Sequence, residues 1–161
     1  MKIIDGARHP TVTDHEILGF FGPYRFMSNF HMLPVRVGDI WYPSTEHAYM
    51  AYKTDDREIK KYIANLEKAS EARKFGQTIQ LRPDWETYKS VAMLDCLYAK
   101  FQNPELRKLL LATGDRYLEE TNNWGDAWWG VVQDPITQDR RGLNMLGKCL
   151  MVIRDRVRGD Q

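Results

Sequence analysis

The sequence predicts a mainly α, α+β fold: a single compact helical domain with a small antiparallel β element. Three observations lead there. The 161 residues are 43% apolar and 28% charged, the balance of an ordinary globular chain long enough to bury one core. Leu143, Leu146, Leu150, Ile153 and Val157 recur at spacings of three and four, the period of one helix face. Gly38-Asp39 separates two short apolar segments, which is a hairpin signal.

Residues 1–16 are polar and carry His9-Pro10, so they read as an irregular N-terminal arm, with the domain over 17–158. Ile17 to Phe21 reads as a short buried strand, broken by Gly22-Pro23-Tyr24. Leu33–Val37 and Ile40–Tyr42 form the hairpin arms. Ser44 or Thr45 caps a helix running to about Thr54. Asp55-Asp56 opens a second helix, whose stripe is Ile59, Tyr62, Ile63 and Leu66. Residues 68–77 make a third, ending near Gly76. Pro83-Asp84 opens the longest helix, about 84–102, with Val91, Leu94, Tyr98 and Phe101 as its inner face. Asn103-Pro104 starts another, which stops at Thr113-Gly114. Tyr117 to Val132 is rich in aromatics and lacks helical period, so short extended segments and turns are expected. The last helix begins near Leu143.

Lys and Arg number 23 against 22 Asp and Glu, a net charge of +1, which disfavours nucleic-acid binding by bulk charge. No apolar run approaches the ~20 residues of a membrane span. The start, Met1-Lys2-Ile3-Ile4-Asp5, has no signal-peptide core, so a cytoplasmic protein is expected. Cys96 and Cys149 lie in apolar helical stretches and read as buried free thiols. His9, His15, His31 and His47 lack ligand spacing and no CxxC occurs, so no metal is expected.

Four segments carry chemical potential. In Thr45 to Lys53, residues Glu46, Met50 and Lys53 fall at i, i+4 and i+7 and share a helix face. A carboxylate and an amine so placed can form an acid/base and nucleophile pair; the plain alternative is a salt-bridged exposed face. In Trp124 to Gly130, an extended reading puts Asp126 with Trp128 and Ala127 with Trp129 on opposite faces. Tryptophan beside a carboxylate suits a flat heterocycle joined to a sugar, unless the tryptophans merely fill the core. Arg140-Arg141-Gly142 precedes a helix start, where a phosphate can bind, or is a solvated basic loop. Asn29, in Phe26 to Phe30, can read a base edge or a ribose hydroxyl, or simply close a turn.

Taken in order, these segments resemble one family, the NADAR (NAD- and ADP-ribose-associated), YbiA-like proteins. The resemblance rests on Ser28-Asn29-Phe30, Trp41-Tyr42-Pro43-Ser44-Thr45-Glu46-His47, Ala51, Lys53, Ala72-Arg73, Gly76, Trp85, Lys100-Phe101, Leu109 to Thr113, Asp126, Trp128-Trp129-Gly130, Gly142, Asn144, Leu146-Gly147 and Leu150-Met151. It implies an N-glycosidase acting where ribose C1 is bonded to an exocyclic amine. Two substrate classes go with it: ribosylamino-pyrimidine intermediates of riboflavin biosynthesis, and ADP-ribosyl-guanine in nucleic acid, so that ADP-ribosylated DNA is an expected partner. No cofactor is implied, no membrane is involved, and a protein partner is left open.

The family's functional positions fall on Glu46, Trp85, Asp126 and Trp129, with Lys53 beside them. The expected catalytic residues are therefore Glu46, Lys53 and Asp126. The expected substrate-binding residues are Asn29, His47, Arg73, Trp85, Trp129, Gly142 and Asn144. Met50 stands where the family usually has glutamine, and the segment from Val131 to Arg141 replaces a glycine-rich one. The competing readings are a non-catalytic ADP-ribose- or NAD-binding module and an antitoxin-like interaction protein.

Overall fold

The hairpin around Gly38-Asp39 forms as its flanking segments predict. Strand β3 (Met32–Val37) pairs antiparallel with β4 (Ile40–Ser44), and Gly38 supplies the positive φ of 62° that the turn requires. The computed structural model describes residues 9–160.

The chain before β3 is more regular than expected. β1 (Thr11–Val12) pairs antiparallel with β2 (Glu16–Leu18), so a two-stranded pairing begins inside the expected arm, of which residues 1–8 lie outside the described residues. Gly22–Met27 is a 3-10 helix with Pro23 in its first turn, where the missing N–H costs nothing.

The helices follow their caps. Ser44 accepts the His47 N–H and opens α1 (Thr45–Ala51). Asp56 accepts two N–H groups and opens α2 (Arg57–Ala64). α3 (Ala69–Gly76) and α4 (Trp85–Lys100) follow, and Asn103 caps α5 (Pro104–Ala112). β5 (Tyr117–Glu119), β6 (Thr121–Asn122), β7 (Val131–Gln133) and β8 (Arg140–Arg141) precede α6 (Met145–Gly159). The antiparallel pairs are joined by two parallel ones, β2 with β5 and β6 with β7, which the short extended segments did not foretell.

The core lies between α4, α6, α1 and the strands, and holds both cysteines as free thiols. The inner face of α4 is rotated from the expected one. Val91 is 45% exposed, whereas Ala92, Met93, Cys96, Leu97 and Phe101 are buried. The small residues Ala92 and Cys96 permit close helix packing, so the seam follows them rather than the larger Val91. On α2, Ile63 is buried but Tyr62 is exposed and stacks on Phe75 of α3. Leu143 lies before α6 and is exposed, while Leu146, Leu150, Ile153 and Val157 form the buried stripe. No helix among the described residues is long and apolar enough to cross a membrane.

Candidate active site

A cavity of about 570 Å³ opens between α1, the 3-10 segment, the N-terminal end of α4 and the loop after β6. That volume suits a small organic ligand. Glu46, Met50 and Lys53 all line it, as the helical spacing predicted. The α-helix ends at Ala51, and Lys53 is carried on a tight last turn by its N–H to Met50 O at 3.2 Å.

Glu46 is 7% exposed. Its backbone N–H donates to Asn29 O at 3.0 Å, tying the Ser28-Asn29-Phe30 turn to the start of α1. Burial pushes the Glu46 carboxyl up to about 7; Arg73 and Lys53 pull it down, and Asp126 pushes it further up. Lys53 Nζ donates to Gly76 O at 3.3 Å and sits 5.9 Å from the centre of the Trp85 ring. Burial lowers its pKa, against the attraction of Glu46 and with the repulsion of Arg73. Asn29 also lines the cavity; its Nδ2 reaches Met93 Sδ, and its Oδ1 is buried without a partner among the described residues.

The aromatic wall is built on Tyr49. Its ring lies 5.3 Å from Trp85 and 5.4 Å from Trp129, the latter edge to face. Residues 126–129 form one of the turns expected in this stretch, so the extended alternative with its alternating faces does not apply. Asp126 Oδ1 accepts the N–H groups of Trp128 at 3.2 Å and Trp129 at 2.9 Å, and this local capture outcompetes extended alternation. Asn122 holds the Asp126 backbone from the other side, accepting its N–H at 3.1 Å and donating to its carbonyl at 2.8 Å. Asp126 and Trp129 line the cavity, and Trp128 lies at its mouth beneath Lys89, whose Nζ is 4.1 Å from the ring centre.

Three expected substrate-binding residues stand elsewhere. His47 is fully buried, with Nδ1 beside Ser44 Oγ at 2.6 Å and Nε2 donating to Leu66 O at 3.0 Å. Both ring nitrogens serve the fold, anchoring α1 to the end of α2. Asn144 has a φ of 52° and is buried; it accepts the Glu120 N–H and donates to Leu118 O and Tyr117 Oη. Gly142 allows close passage, since a Cβ there would fall 2.2 Å from Gly130 O. Neither lines the cavity. Arg140 pairs with Glu119 and lines a separate cavity of about 300 Å³, so it offers no phosphate contact here. The cations that do line the main cavity are Arg25, Lys53, Arg73 and Lys89.

Glu120 and Arg25 were missed. Glu120 lines the cavity, and burial together with Asp126 pushes its carboxyl up to about 7, against the pull of Arg25 and Lys100. Behind this wall Lys100 is fully buried, donates to Ser28 O at 2.9 Å, and has its pKa lowered to about 7 by burial. No group of His, Cys, Asp and Glu among the described residues has the arrangement to hold a metal ion.

Three carboxylates, a desolvated lysine and an aromatic wall surround one cavity, the equipment of an α+β enzyme class that does acid/base chemistry. The chain belongs to the NADAR domain family, whose model matches residues 12–158. It is 34% identical over 142 residues to an N-glycosidase of Nostoc punctiforme, covering 84% of this chain and 87% of that one. It is 33% identical over 153 residues to the N-glycosidase YbiA of Escherichia coli, covering 91% of each. A riboflavin biosynthesis protein of Vibrio vulnificus is 34% identical over 135 residues; that match covers 82% of this chain but 35% of the longer protein. The NMR structure of Escherichia coli YbiA superposes with a TM-score of 0.77 at 31% identity, over 93% of this chain and 89% of that one.

Proposed function

We propose that this chain is an N-glycosidase that hydrolyses the bond between ribose C1 and an exocyclic amine, with Glu46, Asp126 and Lys53 as its reacting groups. The observation that carries this reading is that all three line one cavity beside Tyr49, Trp85 and Trp129. The aromatic rings offer a stacking surface for the base. Arg25, Arg73 and Lys89 offer charge to a phosphate or pyrophosphate on the sugar.

Breaking the C–N bond develops positive charge at C1 and the ring oxygen, and Glu46 and Asp126 stabilise it. In the direct route, a carboxyl group protonates the departing amine, water adds to C1, and its proton passes to a carboxylate. In the second route, the ring oxygen takes a proton as the sugar opens to a C1 imine. Lys53 then adds to C1 and the amine leaves with its protons. Water hydrolyses the lysine imine to the free sugar and restores the amine. The lowered pKa of Lys53 favours the second route, because it raises the fraction of neutral amine.

Two substrates fit this chemistry: ribosylamino-pyrimidine phosphates, and ADP-ribose attached to the guanine amino group of DNA. A cytoplasmic setting is part of the same proposal. The test is mass spectrometry on a guanine-ADP-ribosylated oligonucleotide and on a ribosylamino-pyrimidine phosphate, each incubated with the wild type and with Glu46→Gln. Loss of the ribosyl group with the wild type alone supports the reading. Loss with both proteins removes Glu46 from the mechanism. Calorimetric binding of ADP-ribose without turnover of either substrate turns the chain into a binding module.

A further inference from the structure

Glu120 is the one carboxylate of the cavity that the proposed mechanism does not use. Its backbone is clamped on both sides. Asn144 Oδ1 accepts its N–H at 3.1 Å, and its carbonyl accepts the Val131 N–H at 2.8 Å. The side chain is thereby aimed at the cavity from a fixed base. Its Oε2 is buried and has no hydrogen-bond partner among the described residues. An unpartnered buried acceptor is costly unless something else supplies the donor.

Glu120 lines the same cavity as Asp126 and Glu46, the two carboxylates proposed to flank ribose C1. The donor nearest to C1 on the sugar is the hydroxyl of the adjoining carbon. Carboxylates are common partners of ribose hydroxyls, and hydrogen bonds to the 2-hydroxyl gain strength as a glycosidic bond breaks.

We propose that Glu120 is a specificity-determining residue that accepts a hydrogen bond from the 2′-hydroxyl of the ribosyl group bound in the cavity. The proposal rests on the N-glycosidase reading only for where the sugar lies. It makes the protein selective for ribosyl over 2′-deoxyribosyl groups, and it gives the orphan oxygen its partner in the bound state.

The test is a cycle between residue and hydroxyl. Ribose 5-phosphate and 2-deoxyribose 5-phosphate are titrated calorimetrically into the wild type, Glu120→Gln and Glu120→Ala. Turnover is measured in parallel on a ribosylamino-pyrimidine phosphate and its 2′-deoxy counterpart. Above pH 8, where Glu120 with its pKa of about 7 is ionised, the wild type should prefer the ribosyl ligand by roughly 10- to 100-fold, the range of a hydrogen bond to a charged group. Glu120→Ala should bring that ratio close to one, and Glu120→Gln, which keeps an acceptor oxygen, should retain part of it. A purely structural role would weaken both ligands equally and leave the ratio intact. An unchanged ratio in Glu120→Ala, a wild type that does not discriminate, or a wild type that binds neither sugar phosphate would each overturn the proposal. Discrimination in binding without turnover would keep the role of Glu120 and remove the hydrolytic reading. Turnover with an unaltered ratio would do the reverse.

Discussion

Asp126 Oδ1 accepts the Trp129 backbone N–H at 2.9 Å, so the carboxylate proposed to act on the sugar also fixes the backbone that carries the neighbouring ring. Chemistry and substrate positioning are therefore coupled through one side chain, and substitutions that differ only in their ability to accept that bond should separate the two.

Asp126→Asn keeps an acceptor oxygen for the turn but removes the charge. It should lower kcat by at least about 100-fold, the typical weight of a group that moves protons or stabilises charge, with the thermal midpoint nearly unchanged. Asp126→Ala also loses the capture of residues 128 and 129. It should cost about 1 kcal/mol of stability and raise KM as Trp129 loosens. Steady-state kinetics and thermal melts on both variants check this; equal stability and equal KM would show that the turn holds without Asp126.

Glu46 should make stability depend on pH. Its folded pKa of about 7 lies above the unfolded value of 4.5. The folded state therefore binds more protons between those values, and stability falls as pH rises through that window. Glu46→Gln removes the ionisable group. It should raise the thermal midpoint at pH 8, where the wild type holds a buried carboxylate, and do much less at pH 5, where that group is protonated. The difference is bounded at about 3 kcal/mol by the size of the shift. Melts at the two pH values with equal gains would contradict the burial argument.

Lys53 should be trapped by borohydride if the imine route operates. Reduction during turnover should leave a ribosyl-derived mass on the wild type and on Lys74→Met, whose lysine is exposed on α3, but none on Lys53→Met. Active wild type with no adduct would leave only the direct route.

Gly76 controls where Met50 sits. A Cβ at position 76 would fall 2.2 Å from Met50 Sδ and 2.8 Å from its Cγ. Gly76→Ala should push the Met50 side chain into the cavity and raise KM several-fold, because Met50 lines that wall. Gly76→Ala combined with Met50→Ala should recover much of the loss. Failure of the pair to recover would place the defect in the Lys53 contact with Gly76 O instead.

Much of this site was legible in the sequence because its parts are local. The 3.6-residue period puts Glu46, Met50 and Lys53 on one face whatever surrounds the helix, and Ser44 before Thr45 marks where that helix begins. Asp126 was found by composition, but which residues around it turn was not. The side chain's capture of two N–H groups decided the backbone, and alternation does not register that. His47 and Asn144 looked like ligand contacts because polar residues in such segments often are. Burial instead required the protein to satisfy them itself, through Ser44 and Leu66 in one case and β5 in the other. Arg25 and Glu120 stayed hidden because they meet only through tertiary pairing. No local pattern says that a residue following β2 and one following β5 will face the same cavity.

The parallel pairing of β2 with β5 also fixes when the cavity can exist. Ile17 lies opposite Leu118, so roughly a hundred residues must be made and folded back before the wall bearing Phe20 and Arg25 meets the one bearing Glu120 and Asp126. Closing so long a loop is entropically slow compared with forming α1 or α4. During synthesis, the residues of the Glu46 wall therefore emerge while their counterpart is still inside the ribosome. Chains released before Asn144 lack Leu146 in the cavity wall and the Asn144 clamp behind Glu120. The cavity wall is therefore complete only once the last helix is in place, and truncated translation products should be inert toward the proposed substrate.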